Sequence, residues 1–150
     1  IYKASIIHLG NQFYSEDQVF AWSGFADDLK AFEQWISNAA TIVALNGDQE
    51  RLGFGGIGGS GRISSLFVSP SAMRKGVGTS LLKQLISSIA IRGNLDATTV
   101  ASEFSKTLFE KFGFTVSRIE VTSFRGITFK RYAMKLCIHK TMPPDSLTRF

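Results

Sequence analysis

The sequence predicts a mixed α/β domain built around one strand, one basic glycine loop and one helix at residues 62–91. Three observations carry that reading. Ile63, Leu66, Phe67 and Val68 form a β-branched and aromatic run that Ser69-Pro70 ends, because proline donates nothing to a sheet ladder and restricts the residue before it. From Thr79 the apolar residues change period, and Leu81, Leu82, Leu85, Ile86 and Ile89 repeat as one helical stripe. On either side of this unit, short apolar runs separated by glycine-containing turns read as antiparallel hairpins.

Residues 1–13 suit a first helix through Ile6, Ile7, Leu9 and Phe13. Ser15-Glu16-Asp17-Gln18 is a capping box, and the helix it starts carries Val19, Phe20 and Trp22. Asp27-Asp28 opens a third helix through Asn38, with Leu29, Phe32, Trp35 and Ile36 on one face. Thr41 to Leu45 is a strand, Asn46-Gly47-Asp48 a hairpin turn, and Leu52 to Ile57 the returning strand. Glycines on that returning strand are expected to let a ligand approach the backbone. Gly58 to Gly61 turns the chain into the strand Arg62–Val68. The following helix closes at Arg92-Gly93, a cation followed by a left-handed cap. Thr98 to Ala101 is a short strand, and a helix from about Ser105 to Phe112 stops at Gly113. Phe114–Val121 and Ile127–Leu136 form a last hairpin through Phe124-Arg125-Gly126, with a peripheral tail at 140–150.

The 150 residues bound the chain to one domain, 1–150, without repeats or linkers. A 44% hydrophobic and 19% charged composition excludes a disordered chain. No apolar run reaches the roughly twenty residues of a membrane span, and no basic-then-apolar leader precedes the first helix. Cys137 is alone, which fits a reducing, cytoplasmic compartment, and its place in the last strand predicts buried packing. No metal-ligand spacing is present, and His8 and His139 are isolated. A net charge of +5 and a pI near 9.6 favour an anionic ligand. The cations are scattered, without the basic runs or zinc-finger spacing of nucleic-acid binders.

The loop Met73-Arg74-Lys75-Gly76-Val77-Gly78-Thr79 places backbone N–H groups and two cations at a helix N-terminus, an arrangement suited to phosphate. A Walker A loop requires Gly-Lys followed by Ser or Thr, whereas Lys75 precedes Gly76. The G-x-G-x-x-G pattern at Gly53–Gly58 leads into another strand, so it lacks the helix a dinucleotide fingerprint requires.

The 73–79 loop resembles the pyrophosphate loop of the GNAT superfamily of N-acetyltransferases, (Gln or Arg)-x-x-Gly-x-(Gly or Ala). Leu66-Phe67-Val68-x-Pro70 is similar to the strand and proline before that loop. SEFSKTLFEKFGF at 102–114 is similar to the family's N-x-x-A-x-x-(F/L)-Y-E-K-x-G-F segment, and Arg131-Tyr132-Ala133-Met134-Lys135 to its closing strand. The resemblance implies a central, mostly antiparallel sheet flanked by helices, in which Thr98–Ala101 splays from Arg62–Val68. It also implies acetyl transfer from acetyl-CoA to an amine. GNAT domains usually open with a strand before the first helix, and Ile1 already stands close to that helix.

By the same resemblance, Leu66, Phe67 and Val68 hold the pantetheine arm and the loop amides hold the diphosphate, with Ser102, Ser105 and Phe109 beside the arm. Met73 departs from the family's Gln or Arg, and Arg74 is the neighbouring substitute. Phe109 stands where the family has a tyrosine proposed to protonate the thiolate, and Ser102 replaces a common Asn. Ser64 and Ser65 stand where several relatives carry a glutamate. Glu103 is the candidate general base, with Asp27, Asp28 and Glu33 dependent on helix placement. Tyr14 and Trp22 are candidate walls of the acceptor pocket or plain core aromatics. The expected partners are acetyl-CoA and a small amine, with neither membrane nor nucleic acid, and a homodimer could pair through the final strands or an exposed sheet edge. A GNAT-fold acyl-CoA-binding module without catalysis, and a basic nucleic-acid-binding domain, are the alternatives.

Overall fold

The computed structural model describes residues 1–138. Helices α1 (Tyr2–Gly10), α2 (Glu16–Ser23) and α3 (Leu29–Ser37) come first, followed by strands β1 (Ala40–Leu45), β2 (Arg51–Ile57) and β3 (Arg62–Val68). Helix α4 (Val77–Ile91), strand β4 (Asp96–Ala101), helix α5 (Lys106–Lys111) and the hairpin β5 (Thr115–Phe124) and β6 (Ile127–Cys137) complete the fold. Among the described residues six strands form one sheet in the order β1-β2-β3-β4-β6-β5, and only β3 and β4 run parallel.

Local chemistry accounts for most of these boundaries. Ser15 accepts from the Gln18 amide while the Gln18 side chain accepts from the Ser15 amide, a closed capping box at α2. Asp28 caps α3 by accepting from the Ala31 amide, and a short 3₁₀ turn, Gly24–Asp27, precedes it. Gly93 and Gly113 take φ of +81° and +87° after α4 and α5, which glycine adopts without strain. Arg125 and Gly126 both have positive φ and close the β5–β6 hairpin as a two-residue turn.

Each face of the sheet carries its own core. On one, Leu82, Leu85 and Ile89 of α4 are fully buried against Ile57, Ile63, Ala97 and Met134. On the other, Tyr2 and Ile6 of α1 and Val19 of α2 pack with Phe54, beneath Trp35 and Phe67. The glycines of β2 serve the first core. A Cβ on Gly53 would stand 2.7 Å from the Phe67 carbonyl oxygen, and one on Gly55 would stand 2.7 Å from a Leu85 methyl. The expected role of these glycines in admitting a ligand is therefore corrected: they let β3 and α4 approach β2 closely.

Cys137 is a second correction. It is exposed, because it ends β6 opposite Asp96, where the sheet runs out. Among the described residues β5 is an edge of the sheet and leaves Ile119 and Val121 exposed. No helix among the described residues is long and apolar enough to cross a membrane. His139 and the tail 140–150 lie outside the described residues.

Candidate active site

Strands β3 and β4 pair only at Arg62–Thr98 and Ile63–Thr99, where Thr99 Oγ1 also donates to the Ile63 carbonyl at 3.1 Å. Beyond that point the strands diverge. Ser64 falls at a bulge, because Gly56 pairs with Ser65 and Ile57 pairs with Ile63, so the strand bends where the separation begins. From Ser64 to Val68 the edge of β3 that faces β4 has no strand partner among the described residues, and such an edge can hydrogen-bond an extended ligand as if it were another strand.

Three cavities meet at this opening. The middle one, about 80 Å³, is lined by Ser65, Leu66, Thr99, Ser105 and Phe109, among others. Ser102 also lines it, and its hydroxyl lies 2.9 Å from that of Ser105. Phe109 is buried edge-to-face against Phe114.

On one side lies a cavity of about 400 Å³, lined by Leu66, Phe67 and Val68 of β3 and by Met73, Arg74, Gly76, Gly78 and Thr79 of the loop. Gly76 takes φ of +83° and Arg74 φ of +60°, so the loop turns sharply just before α4. No side chain caps α4, and the amides of Val77, Gly78 and Thr79 have no acceptor among the described residues. These free donors, the helix dipole and the cations Arg74 and Lys111 on the cavity wall fit a diphosphate. The side chains of Lys75 and Val77 do not line this cavity.

On the other side lies a cavity of about 360 Å³ with aromatic walls, among them Tyr14, Trp22, Trp35, Phe124 and Phe129. Its base is Ile63, Ser64, Val100 and Ser102, so it opens directly onto the divergence of β3 and β4. Tyr14 and Trp22, the two acceptor-wall candidates, stand here in edge contact 5.6 Å apart. Arg62 and Arg131 line the same cavity, and no carboxylate does among the described residues. Arg131 and Phe129 were not legible as site residues, because only the register of the β5–β6 hairpin turns them to this face. Their spacing of two on one strand, which puts Phe129 and Arg131 on the same face, is the one sequence signal that points to them.

Glu103 lies on the loop after β4 and borders the 400 Å³ cavity, not the aromatic one. The Tyr132 hydroxyl donates to its Oε1 at 2.7 Å, and Lys130 Nζ stands 3.8 Å away. Its backbone N–H donates to the Tyr14 hydroxyl oxygen at 2.9 Å. Burial raises the Tyr14 phenol above its ordinary pKa, outweighing that hydrogen bond, so the group stays protonated at neutral pH. Asp27 is paired with Lys3 at 2.7 Å, and neither Asp28 nor Glu33 lines any of the three cavities.

A diverging parallel strand pair next to an uncapped, glycine-led helix is a specific arrangement, and comparison with known proteins agrees with it. The family model of the GNAT acetyltransferase domain matches residues 11–136. The chain belongs to the GNAT acetyltransferase family. It is 28% identical over 139 residues to the uncharacterized N-acetyltransferase YafP of Escherichia coli (strain K12), covering 90% of this chain and 84% of that one. It is 30% identical to a GCN5-related N-acetyltransferase from Rhodopseudomonas palustris, with a TM-score of 0.87 over 91% of this chain and 84% of that one. The PaiA N-acetyltransferase of Thermoplasma acidophilum, solved in complex with coenzyme A, shares the fold at a TM-score of 0.70 and 17% identity, covering 91% and 88% of the two chains.

Proposed function

We propose that this GNAT enzyme uses acetyl-CoA to acetylate a primary amine of a small molecule, by direct transfer within a ternary complex. The observation that carries the reading is the position of the β3–β4 divergence between a cavity with free helix N–H groups and a cavity with aromatic walls. The first suits the diphosphate and pantetheine of the co-substrate. The second, of about 360 Å³, suits a compact acceptor. The coenzyme A complex of the Thermoplasma relative supports the choice of co-substrate.

In the reaction the amine nitrogen attacks the thioester carbonyl carbon, the N–C bond forms, the C–S bond breaks, and the nitrogen proton is lost as the thiolate takes one up. The unpaired edge of β3 beside Leu66 to Val68 holds the pantetheine amides and aligns the carbonyl with the acceptor. Phe109 packs at the reaction point but has no proton to give, so the hydroxyls of Ser102 and Ser105 are the donors nearest the leaving thiolate. Glu103 is the carboxylate proposed to receive the amine proton, held beside the site by its backbone N–H, which donates to the Tyr14 hydroxyl on the wall of the aromatic cavity.

Met73 and Phe109 favour a second reading, an acyl-CoA-binding module that does not turn over. Release of free CoA thiol separates the two: acetyl transfer predicts release that depends on added amine, and the binding module predicts none with any amine.

A further inference from the structure

The aromatic cavity carries charge of one sign only. Arg62 and Arg131 line it without any carboxylate among the described residues. Arg131 is the better placed of the two. Its Nε is buried without a hydrogen-bond partner among the described residues, and its Nη2 stands 3.4 Å from Glu120 Oε2, a long contact. Glu120 is already engaged through its other oxygen by Arg118, whose Nε and Nη2 stand 3.0 and 2.5 Å away. One glutamate thus serves two guanidiniums, so the guanidinium of Arg131, whose partly exposed side chain lines the cavity, is held by a single long contact among the described residues. A guanidinium held this loosely can turn its terminal donors to an acceptor atom on a ligand.

We propose that the acceptor is an amine carrying a carboxylate on an aromatic or similarly broad apolar body, the carboxylate docking on Arg131 with Arg62 in support. This rests on the acetyl-transfer reading and names the substrate class for that site. Trp22, Trp35, Phe124 and Phe129 cover the apolar body, and the fork of a guanidinium matches the two oxygens of a carboxylate. The charge pattern also serves the chemistry. Two cations beside a desolvated amine lower its pKa and favour the neutral nucleophile, whereas a polycation such as a polyamine would meet repulsion and find no counter-charge.

The test uses matched probes with the full chain. With acetyl-CoA, L-phenylalanine and L-tryptophan are compared with their amides, with phenethylamine and with spermidine, by release of CoA thiol. The expected kcat/KM for the carboxylates exceeds that for the neutral analogues by about tenfold or more, and spermidine is the poorest. Arg131→Gln removes the preference by raising KM for the carboxylates about tenfold, while the amides change less than about twofold and acetyl-CoA affinity is kept. Arg62→Gln, at an exposed residue, gives a smaller change in the same direction. Calorimetry with 3-phenylpropionate and 3-phenylpropanamide in the presence of CoA reads carboxylate recognition without turnover, and only the acid should bind. Equal treatment of acids and amides, a preference for spermidine, or an equal loss on all substrates in Arg131→Gln overturns the proposal while leaving acetyl transfer intact. No thiol release with any of these amines, together with no binding of the acid, overturns both.

Discussion

Glu103 is held by the Tyr132 hydroxyl, with the Lys130 ammonium nearby, and that setting decides what its removal does. In Glu103→Gln an amide oxygen can still accept from Tyr132, so the loop after β4 keeps its geometry while the proton acceptor is lost. Turnover at neutral pH should fall by about a hundredfold, within the usual range for a general base, with acetyl-CoA affinity unchanged. An unchanged rate would leave Glu103 a structural role only. Tyr2 offers a separate test of the second core. Burial pushes its phenol well above the usual value near 10, outweighing the hydrogen bond it donates to the Trp22 carbonyl. The folded state therefore holds this proton at a pH where the unfolded chain releases it. That stability is complete below about pH 10 and is lost as pH rises further. Urea midpoints measured between pH 8 and 11 should fall at the alkaline end, and Tyr2→Phe should flatten that fall. An equally steep decline in Tyr2→Phe would mean that other groups, such as the raised Lys135 paired with Asp96, account for it.

At the scale of elements, β2 and the start of α4 use glycine for opposite purposes. On β2 the missing side chains bring backbones together, so Gly53→Ala must push β3 away from β2, because its methyl would meet the Phe67 carbonyl at 2.7 Å. The expected loss is about 1–3 kcal/mol in urea unfolding, as for other overpacked interiors, with a weaker grip on acetyl-CoA because Phe67 and Val68 line its cavity. Stability equal to wild type would mean that the strands are not so closely set. The capping box at Ser15, the strand–loop–helix unit and the hairpin turns were legible because each rests on residues close in sequence. The purpose of the β2 glycines was not, because it depends on Leu85 and Phe67, which come from later elements. The exposure of Cys137 escaped for a similar reason: strand length was readable, but the point where its neighbour β4 ends was not.

For the whole molecule, the charge surplus has a distribution that composition alone does not convey. Arg74 and Lys111 border the cavity at the start of α4, and Arg62 and Arg131 border the aromatic one. The loop that resembled a GNAT pyrophosphate site could be read from residues 73–79, whereas the aromatic cavity is assembled from α1, α2, α3, β3, β4, β5 and β6 and so left no contiguous motif. The two cavities meet at the divergence of β3 and β4, and the account stands on acetyl-CoA occupying that place. The most direct test is calorimetric titration of acetyl-CoA into the wild-type chain and into Gly78→Glu, with a DNA duplex as control. Gly78 has an ordinary backbone, and a Cβ there would make only van der Waals contacts of 3.4 and 3.5 Å with Leu108 and Val68, so the variant folds while carrying a carboxylate toward the expected diphosphate. The account predicts one-site binding to wild type at about micromolar Kd, no measurable binding to Gly78→Glu, and no heat with DNA. Equal binding to both proteins, or heat with DNA alone, would contradict it.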